Sequence, residues 1–276
     1  MGRTLGLVAG SGELPFEVTE AASGCGLEVA IAAVEGHADP AIEGLTRGAF
    51  TWIRVGELDR LIAFFKEWQV DEVILAGAVA KREALRDPSA LHLDARALGL
   101  IARLKDRGDD ALLRAVAGEL ESEGLAVVES TRYLEDRLTQ AGRLTGQPLD
   151  PAVEADLALG LRVAKSLGSH DVGQSVVVKE GTVLAVEAAE GTDAAIRRGA
   201  ELGGAGAVVV KASKPSQDLR FDVPAIGPAT IELARQCGLI AIGLEAGRTL
   251  VLDRARTLRE AQRHGIAVVG LRLETG

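Results

Sequence analysis

The chain has 276 residues and a formal net charge of −9, from 31 Lys plus Arg against 40 Asp plus Glu. At roughly 100–200 residues per domain, this length holds two domains or one large α/β domain. A composition of 47% apolar and 26% charged residues, with 33 Gly and 8 Pro, excludes a disordered or collagen-like chain. The acidic balance argues against a nucleic-acid binder, which needs a basic face, and leaves room for a local basic pocket.

Residues 5–9 open the chain as a strand, too short for the apolar region of a secretory signal, so a cytosolic protein is expected. No apolar stretch approaches the ~20 residues that span a bilayer. The richest, residues 73–80, stops at Lys81-Arg82. Cys25 and Cys237 stand singly and far apart, which builds neither a disulfide framework nor a CxxC motif. Both are expected as small core residues.

Strand-like runs at residues 5–9, 28–34, 50–54, 72–75 and 125–128 alternate with helix-period stretches at 13–22, 57–68, 91–104 and 109–123. This alternation predicts βα units around a mostly parallel sheet, a Rossmann-like domain over residues 1–132. Beyond Glu129, residues 132–138 and 141–148 lack a strand period and predict a linker at 133–149. Asp150 as N-cap and Pro151 at the first helical position then open a helix to residue 167. Strands at 175–178 and 183–188, joined by Lys179-Glu180-Gly181-Thr182, read as a β-hairpin. Helices at 193–202, 229–237 and 255–264 and strands at 207–211, 239–242 and 266–271 complete a second α/β domain, residues 150–276, with a mixed sheet.

Three segments can carry chemistry. Gly10-Ser11-Gly12 follows a strand and precedes a helix, where a bare backbone and free helix N–H groups can meet a phosphate. Pro15 replaces the third glycine of a G-x-G-x-x-G, so a tight βα turn is the competing reading. In Glu187-Ala188-Ala189-Glu190-Gly191-Thr192-Asp193, Thr192 is a plausible N-cap. There Glu190 and Asp193 can hold a hard cation that bridges phosphates, Gly191 and Thr192 can meet a phosphate directly, and the alternative is a solvated acidic turn. The third segment, residues 211–227, places Lys211, Lys214, Gln217, Asp218, Arg220 and Asp222 on one Pro-punctuated loop after a buried strand. Its cations can offset pyrophosphate charge, and one of its aspartates can bind a metal ion or orient a water, the positioning work phosphoryl transfer requires.

Weaker candidates are Asp109-Asp110 after Gly108, which reads as a helix cap, and Lys81 with Arg82, which reach a cleft or remain in water. His37, His92, His170 and His264 lack metal-site spacing, and neither G-x-S-x-G nor a Walker A sequence occurs. A nucleotide-dependent oxidoreductase and a non-catalytic nucleotide or lipid binder stand as rivals to a hydrolase.

The segments together resemble a known family. The opening Gly6-Leu7-Val8-Ala9-Gly10-Ser11-Gly12-Glu13-Leu14-Pro15, then Gly108-Asp109-Asp110-Ala111-Leu112-Leu113-Arg114 and Asp171-Val172-Gly173-Gln174, come in the order of the LpxI-type UDP-2,3-diacylglucosamine pyrophosphatases of lipid A biosynthesis. The series continues through Leu184-Ala185-Val186-Glu187-Ala188-Ala189-Glu190-Gly191-Thr192-Asp193, Lys214-Pro215 with Gln217 and Arg220, and Asp222-Val223-Pro224-Ala225-Ile226-Gly227. The resemblance covers nearly the whole chain. It implies two α/β domains and a Mg²⁺-dependent hydrolase, cytoplasmic and peripheral to the inner membrane, that cleaves UDP-2,3-diacylglucosamine to UMP and lipid X. It also implies that Asp222 is the catalytic aspartate. The expected substrate contacts are Gly10, Ser11, Gly12, Gly191, Thr192, Lys211, Lys214, Gln217 and Arg220, and the expected metal ligands are Asp222, Glu190 and Asp193. The apolar stripe Leu93, Ala97, Leu100, Ile101 and Leu104 could line part of a groove for the acyl chains, and is more simply the ordinary signature of a helix packed on a core.

Overall fold

A computed structural model describes residues 3–46, 48–79, 93–104, 109–146, 148–215 and 217–273, without the side chains of Asp109 and Asp110. The chain divides into two units, residues 1–135 with 219–221 and residues 136–218 with 222–276.

In the N-terminal unit, β1 (Thr4–Ala9), β2 (Glu28–Val34), β3 (Phe50–Ile53), β4 (Val70–Ala76) and β5 (Ala126–Val127) form a sheet in the order β3-β2-β1-β4-β5, parallel throughout. That is the order of the first five strands of a Rossmann sheet. From Val29 to Val34 β2 is buried without interruption, as a parallel strand covered on both faces must be. Helices α1 (Leu14–Gly24), α2 (Leu58–Glu67), α3 (Ala95–Arg103) and α4 (Asp109–Ser122) complete the described part of this unit. Buried Leu58, Leu61, Ile62 and Phe65 give α2 a single apolar stripe at three- and four-residue steps. The stripe expected on α3 faces the same core: Ala97 and Leu100 are buried, and Leu93, Ile101 and Leu104 pack against them. The Asp94 carboxylate caps α3 by accepting from the Ala97 N–H at 2.8 Å.

The first glycine loop is committed to the sheet. The Gly10 N–H donates to Ala76 O at 2.8 Å, and both the N–H and the hydroxyl of Ser11 donate to Ala78 O, at 2.8 and 2.9 Å. A Cβ at Gly10 would stand 2.6 Å from Ala78 O. The absence of a side chain there thus serves a backbone-to-backbone crossing between the loops after β1 and β4. Gly10→Ala is expected to cost about 1–3 kcal/mol by forcing that backbone apart, seen as a lower midpoint in chemical denaturation.

In the C-terminal unit, β6 (Gly142–Thr145), β7 (Ser175–Lys179), β8 (Thr182–Val186), β9 (Val208–Lys211), β11 (Ala241–Glu245) and β13 (Ala267–Leu271) form a mixed sheet in the order β6-β13-β11-β9-β7-β8. Strands β9, β11 and β13 are parallel, and β6, β7 and β8 pair antiparallel to their neighbours. The two-residue strands β10 (Ala225–Ile226) and β12 (Leu250–Val251) pair by themselves. Side chains alternate across the sheet. Val176, Val178, Val208 and Val210 meet Leu157, Leu161 and Ala164 of α5 (Pro151–Ser169). Val177, Val209, Ile242 and Val268 share a second cluster with Ile196 of α6 (Thr192–Gly203), Ile231 and Ala234 of α7 (Pro228–Gln236) and Ala261 of α8 (Arg254–Arg263).

Three expectations are corrected. Strand β6 lies in the stretch read as structureless linker: an exposed edge strand of four residues, one of them Gly and one Arg, carries no apolar alternation. Cys25 is exposed and Cys237 only half-buried, because each falls at the C-cap of a helix and not on its apolar stripe. The N-cap of α6 is Gly191, with φ of 87°, and Thr192 is its first helical residue. Among the described residues, no helix is long and apolar enough to cross a membrane.

Candidate active site

Parallel strands β9 and β11 end at Lys211 and Glu245, and antiparallel β7 begins beside them, with Ser175 opposite Lys211. In open α/β sheets, ligands bind outside such carboxyl ends. Two of the three segments that the sequence marks as chemical, residues 187–193 and the loop after β9, meet here. The Glu187 N–H, just past β8, donates to Ser175 O at 2.8 Å. The hydroxyls of Ser175 and Thr192 lie 3.2 Å apart, which brings the start of α6 against the start of β7.

Lys211 is the centre of charge. Its ammonium donates to Ala225 O at 3.1 Å, the strand that follows Asp222. Burial pushes this ammonium below the ordinary lysine range, and the charges of Glu187, Asp222 and Asp193 push it back up. Three carboxylates from two segments thus act on one enclosed lysine. The Glu187 Oε2 atom is buried and has no hydrogen-bond partner, a costly state for a carboxylate oxygen unless a ligand completes it.

Asp222 is held by its own loop. Its Oδ2 accepts from Gln217 Nε2 at 2.6 Å, and its N–H donates to Asp218 O at 3.3 Å. Gln217 also accepts the Lys214 N–H at 2.8 Å through Oε1, and its Nε2 lies 3.4 Å from Gln174 Oε1. The Lys214 ammonium donates to Asp171 at 2.5 Å. Of the expected site residues, the C-terminal unit therefore brings together Thr192, Asp193, Lys211, Lys214, Gln217 and Asp222, with Gly191 capping α6.

Other expected residues are placed elsewhere. Glu190 is bound by Arg198 at 2.6 Å and by the Ala188 N–H at 3.2 Å, and its pKa is lowered by its own backbone N–H first and by the guanidinium next. Arg220 belongs to the N-terminal unit, where it donates to Glu121 at 3.0 Å and stacks 4.9 Å from the Phe221 ring centre. Gly10, Ser11 and Gly12 are in the N-terminal unit too. Lys81, Arg82 and Gly108 lie outside the described residues, as do the side chains of Asp109 and Asp110. Glu187, named in the acidic segment but not among the expected ligands, belongs to this cluster as well. Its signal was its place one residue past an apolar strand, where a side chain reaches the end of the sheet.

The donor set bears on a metal ion. Among the described residues no three Asp, Glu, His or Cys side chains come together as a metal-holding group. The unpartnered Glu187 oxygen, with Asp193 and Asp222 acting on the same lysine, nevertheless offers hard oxygen ligands. Mg²⁺ does not need a three-carboxylate group, since it often takes one or two carboxylates and fills its shell with water and substrate phosphate.

The description "LpxI N-terminal domain" matches residues 4–137 and "LpxI C-terminal domain" matches residues 140–269. The chain belongs to the LpxI family. A relative from Caulobacter vibrioides, the UDP-2,3-diacylglucosamine pyrophosphatase LpxI, is 38% identical over 280 residues that cover 98% of each chain. Among solved structures, a UDP-glucose-4-epimerase from Stenotrophomonas maltophila with bound NAD and formylated UDP-arabinopyranose is 20% identical with a TM-score of 0.28, covering 45% of this chain and 35% of its own. The biotin carboxylase subunit of pyruvate carboxylase is 14% identical with a TM-score of 0.27, covering 64% of this chain and 35% of its own. Likenesses this slight bear on neither fold nor function. In this LpxI chain, the Lys211 cluster is built wholly from the residues matched as the C-terminal domain.

Proposed function

We propose that this chain is a hydrolase of UDP-2,3-diacylglucosamine, cleaving its pyrophosphate to UMP and 2,3-diacylglucosamine 1-phosphate, the lipid X of lipid A biosynthesis. The observation that carries the reading is end-to-end similarity to a relative bearing that activity in its name. The cluster of Lys211 with Asp222, Glu187 and Asp193 supplies chemistry of the right kind.

Hydrolysis forms a bond from a water oxygen to phosphorus and breaks a P–O bond of the anhydride, while the water proton leaves and the released phosphate accepts one. Most of the barrier lies in positioning and in charge on the phosphoryl oxygens. An enclosed Lys211 ammonium offsets that charge more effectively than a solvated one, because the surrounding dielectric is low. Lys214 adds a second cation at the edge of the same loop. Asp222, with one oxygen held by Gln217, orients the water and accepts its proton. A Mg²⁺ ion held by one or two of Asp222, Asp193 and Glu187 would supply Lewis-acid polarisation of the phosphates. The substrate carries two acyl chains, so the enzyme works as a cytoplasmic protein at the face of the inner membrane, a peripheral contact.

The test is phosphorus NMR of the purified protein with UDP-2,3-diacylglucosamine, with Mg²⁺ or with EDTA. UMP and lipid X are expected in the Mg²⁺ sample alone. Equal cleavage in EDTA removes the metal from the reading, and no cleavage by folded protein removes the activity.

A further inference from the structure

One buried polar network in the C-terminal unit has no part in the chemistry so far. Lys165 of α5 donates from Nζ to Glu245 Oε1 at 2.8 Å and Oε2 at 3.0 Å, and to Ser213 O at 2.8 Å and Oγ at 3.3 Å. Glu245 Oε2 also accepts from the Ser213 N–H at 2.8 Å and hydroxyl at 2.7 Å. Glu245 is 8% exposed and Ser213 1%. Apolar side chains of similar volume would often serve stability as well as a buried ion pair, or better. What the pair does that they cannot is hold both the N–H and the C=O of one residue.

That residue stands between Lys211 and Lys214, where the chain leaves β9 for the Asp222 loop. The next backbone N–H, of Lys214, is taken by Gln217 Oε1. Only the carbonyl oxygen of an amide side chain can accept it, so the Gln217 amino group is turned the other way, onto Asp222 Oδ2 at 2.6 Å. Held contacts thus run without a gap from α5 and β11 to the reacting carboxylate.

We infer that Lys165, Glu245, Ser213 and Gln217 are positioning residues for Asp222, and that Gln217 acts as a donor to this carboxylate and not as a substrate contact. The inference rests on the assignment of Asp222 made above. It is tested by steady-state kinetics of Gln217→Leu and of the double variant Lys165→Met/Glu245→Gln, which leaves no unpaired buried charge, beside Asp222→Asn. Each relay variant is expected to lower kcat about tenfold to a hundredfold with KM changed less than twofold. A Gln217→Leu enzyme with raised KM and unchanged kcat marks a substrate contact and overturns the relay, as does a folded double variant with the kcat of the parent. Should the double variant not fold, Gln217→Leu decides alone. Normal turnover by Asp222→Asn overturns the assignment of Asp222 itself. The side-chain amide of Gln217, identified by its loss in Gln217→Leu, gives a readout without turnover. Its ¹H–¹⁵N signals are expected to move in Asp222→Asn and in the double variant, and signals unmoved in both overturn the relay even if the substrate differs.

Discussion

Asp222→Asn is expected to lower kcat by about 10²–10⁴-fold, the contribution of a positioned general base, while the protein keeps its fold and binds substrate. Asparagine has the same shape and still offers an oxygen to the Gln217 amino group, which in the parent lies 2.6 Å from the carboxylate. The loop geometry therefore survives and only the charge and basicity go. A loss of this size with unchanged KM places the aspartate in the transition state and not in ground-state binding. The loss also reaches Lys211, since Asp222 is one of the three carboxylates that raise its proton affinity. Single-turnover cleavage of UDP-2,3-diacylglucosamine, followed by UMP release, measures the chemical step free of product release.

Lys211→Met is expected to lower kcat/KM by about 10²–10³-fold, as removal of one preorganised charge-stabilising group does elsewhere. Its pH dependence has a definite sign. Lysine assists only as ammonium, so activity falls as pH rises through its pKa. Burial lowers that pKa from the ordinary 10.5, so the alkaline fall in kcat/KM begins at lower pH than an exposed lysine would give. Lys211→Arg keeps the charge far into the alkaline range and is expected to abolish this limb while retaining part of the rate. A limb unchanged in position in Lys211→Arg assigns it to another group.

The architecture was legible where physics leaves a period in the chain. Parallel strands buried on both faces read as apolar runs, and α2 read as a helix from one stripe of buried residues. Strand β6 was not legible, because a short edge strand has little to bury. Strands β10 and β12 are too short for any period. For the site, the charged loop after β9 pointed to Lys211, Lys214, Gln217 and Asp222, which the fold brings together. Glu190 and Glu187 could not be told apart in the sequence for a different reason. Both flank the same turn, and only the fold shows that the charge of one acts on Lys211 while the other is taken by Arg198. The Lys165–Glu245–Ser213 network was invisible for a related cause, since its members are 32 to 80 residues apart in the chain.

Leu219–Phe221 belongs to the N-terminal unit, although Asp218 and Asp222 on either side belong to the other. Ser130 binds Leu219 O through both its N–H and its hydroxyl, Arg220 binds Glu121, and Phe221 packs into the core around Phe65. The two halves are therefore not separable by a single cut of the chain. A fragment ending at Glu135 lacks three residues of its own packing, and a fragment starting at Asp136 carries Phe221 without the core it packs against. Expressed apart, the first half is left with a gap and the second with three residues that lack the contacts that hold them in the whole chain.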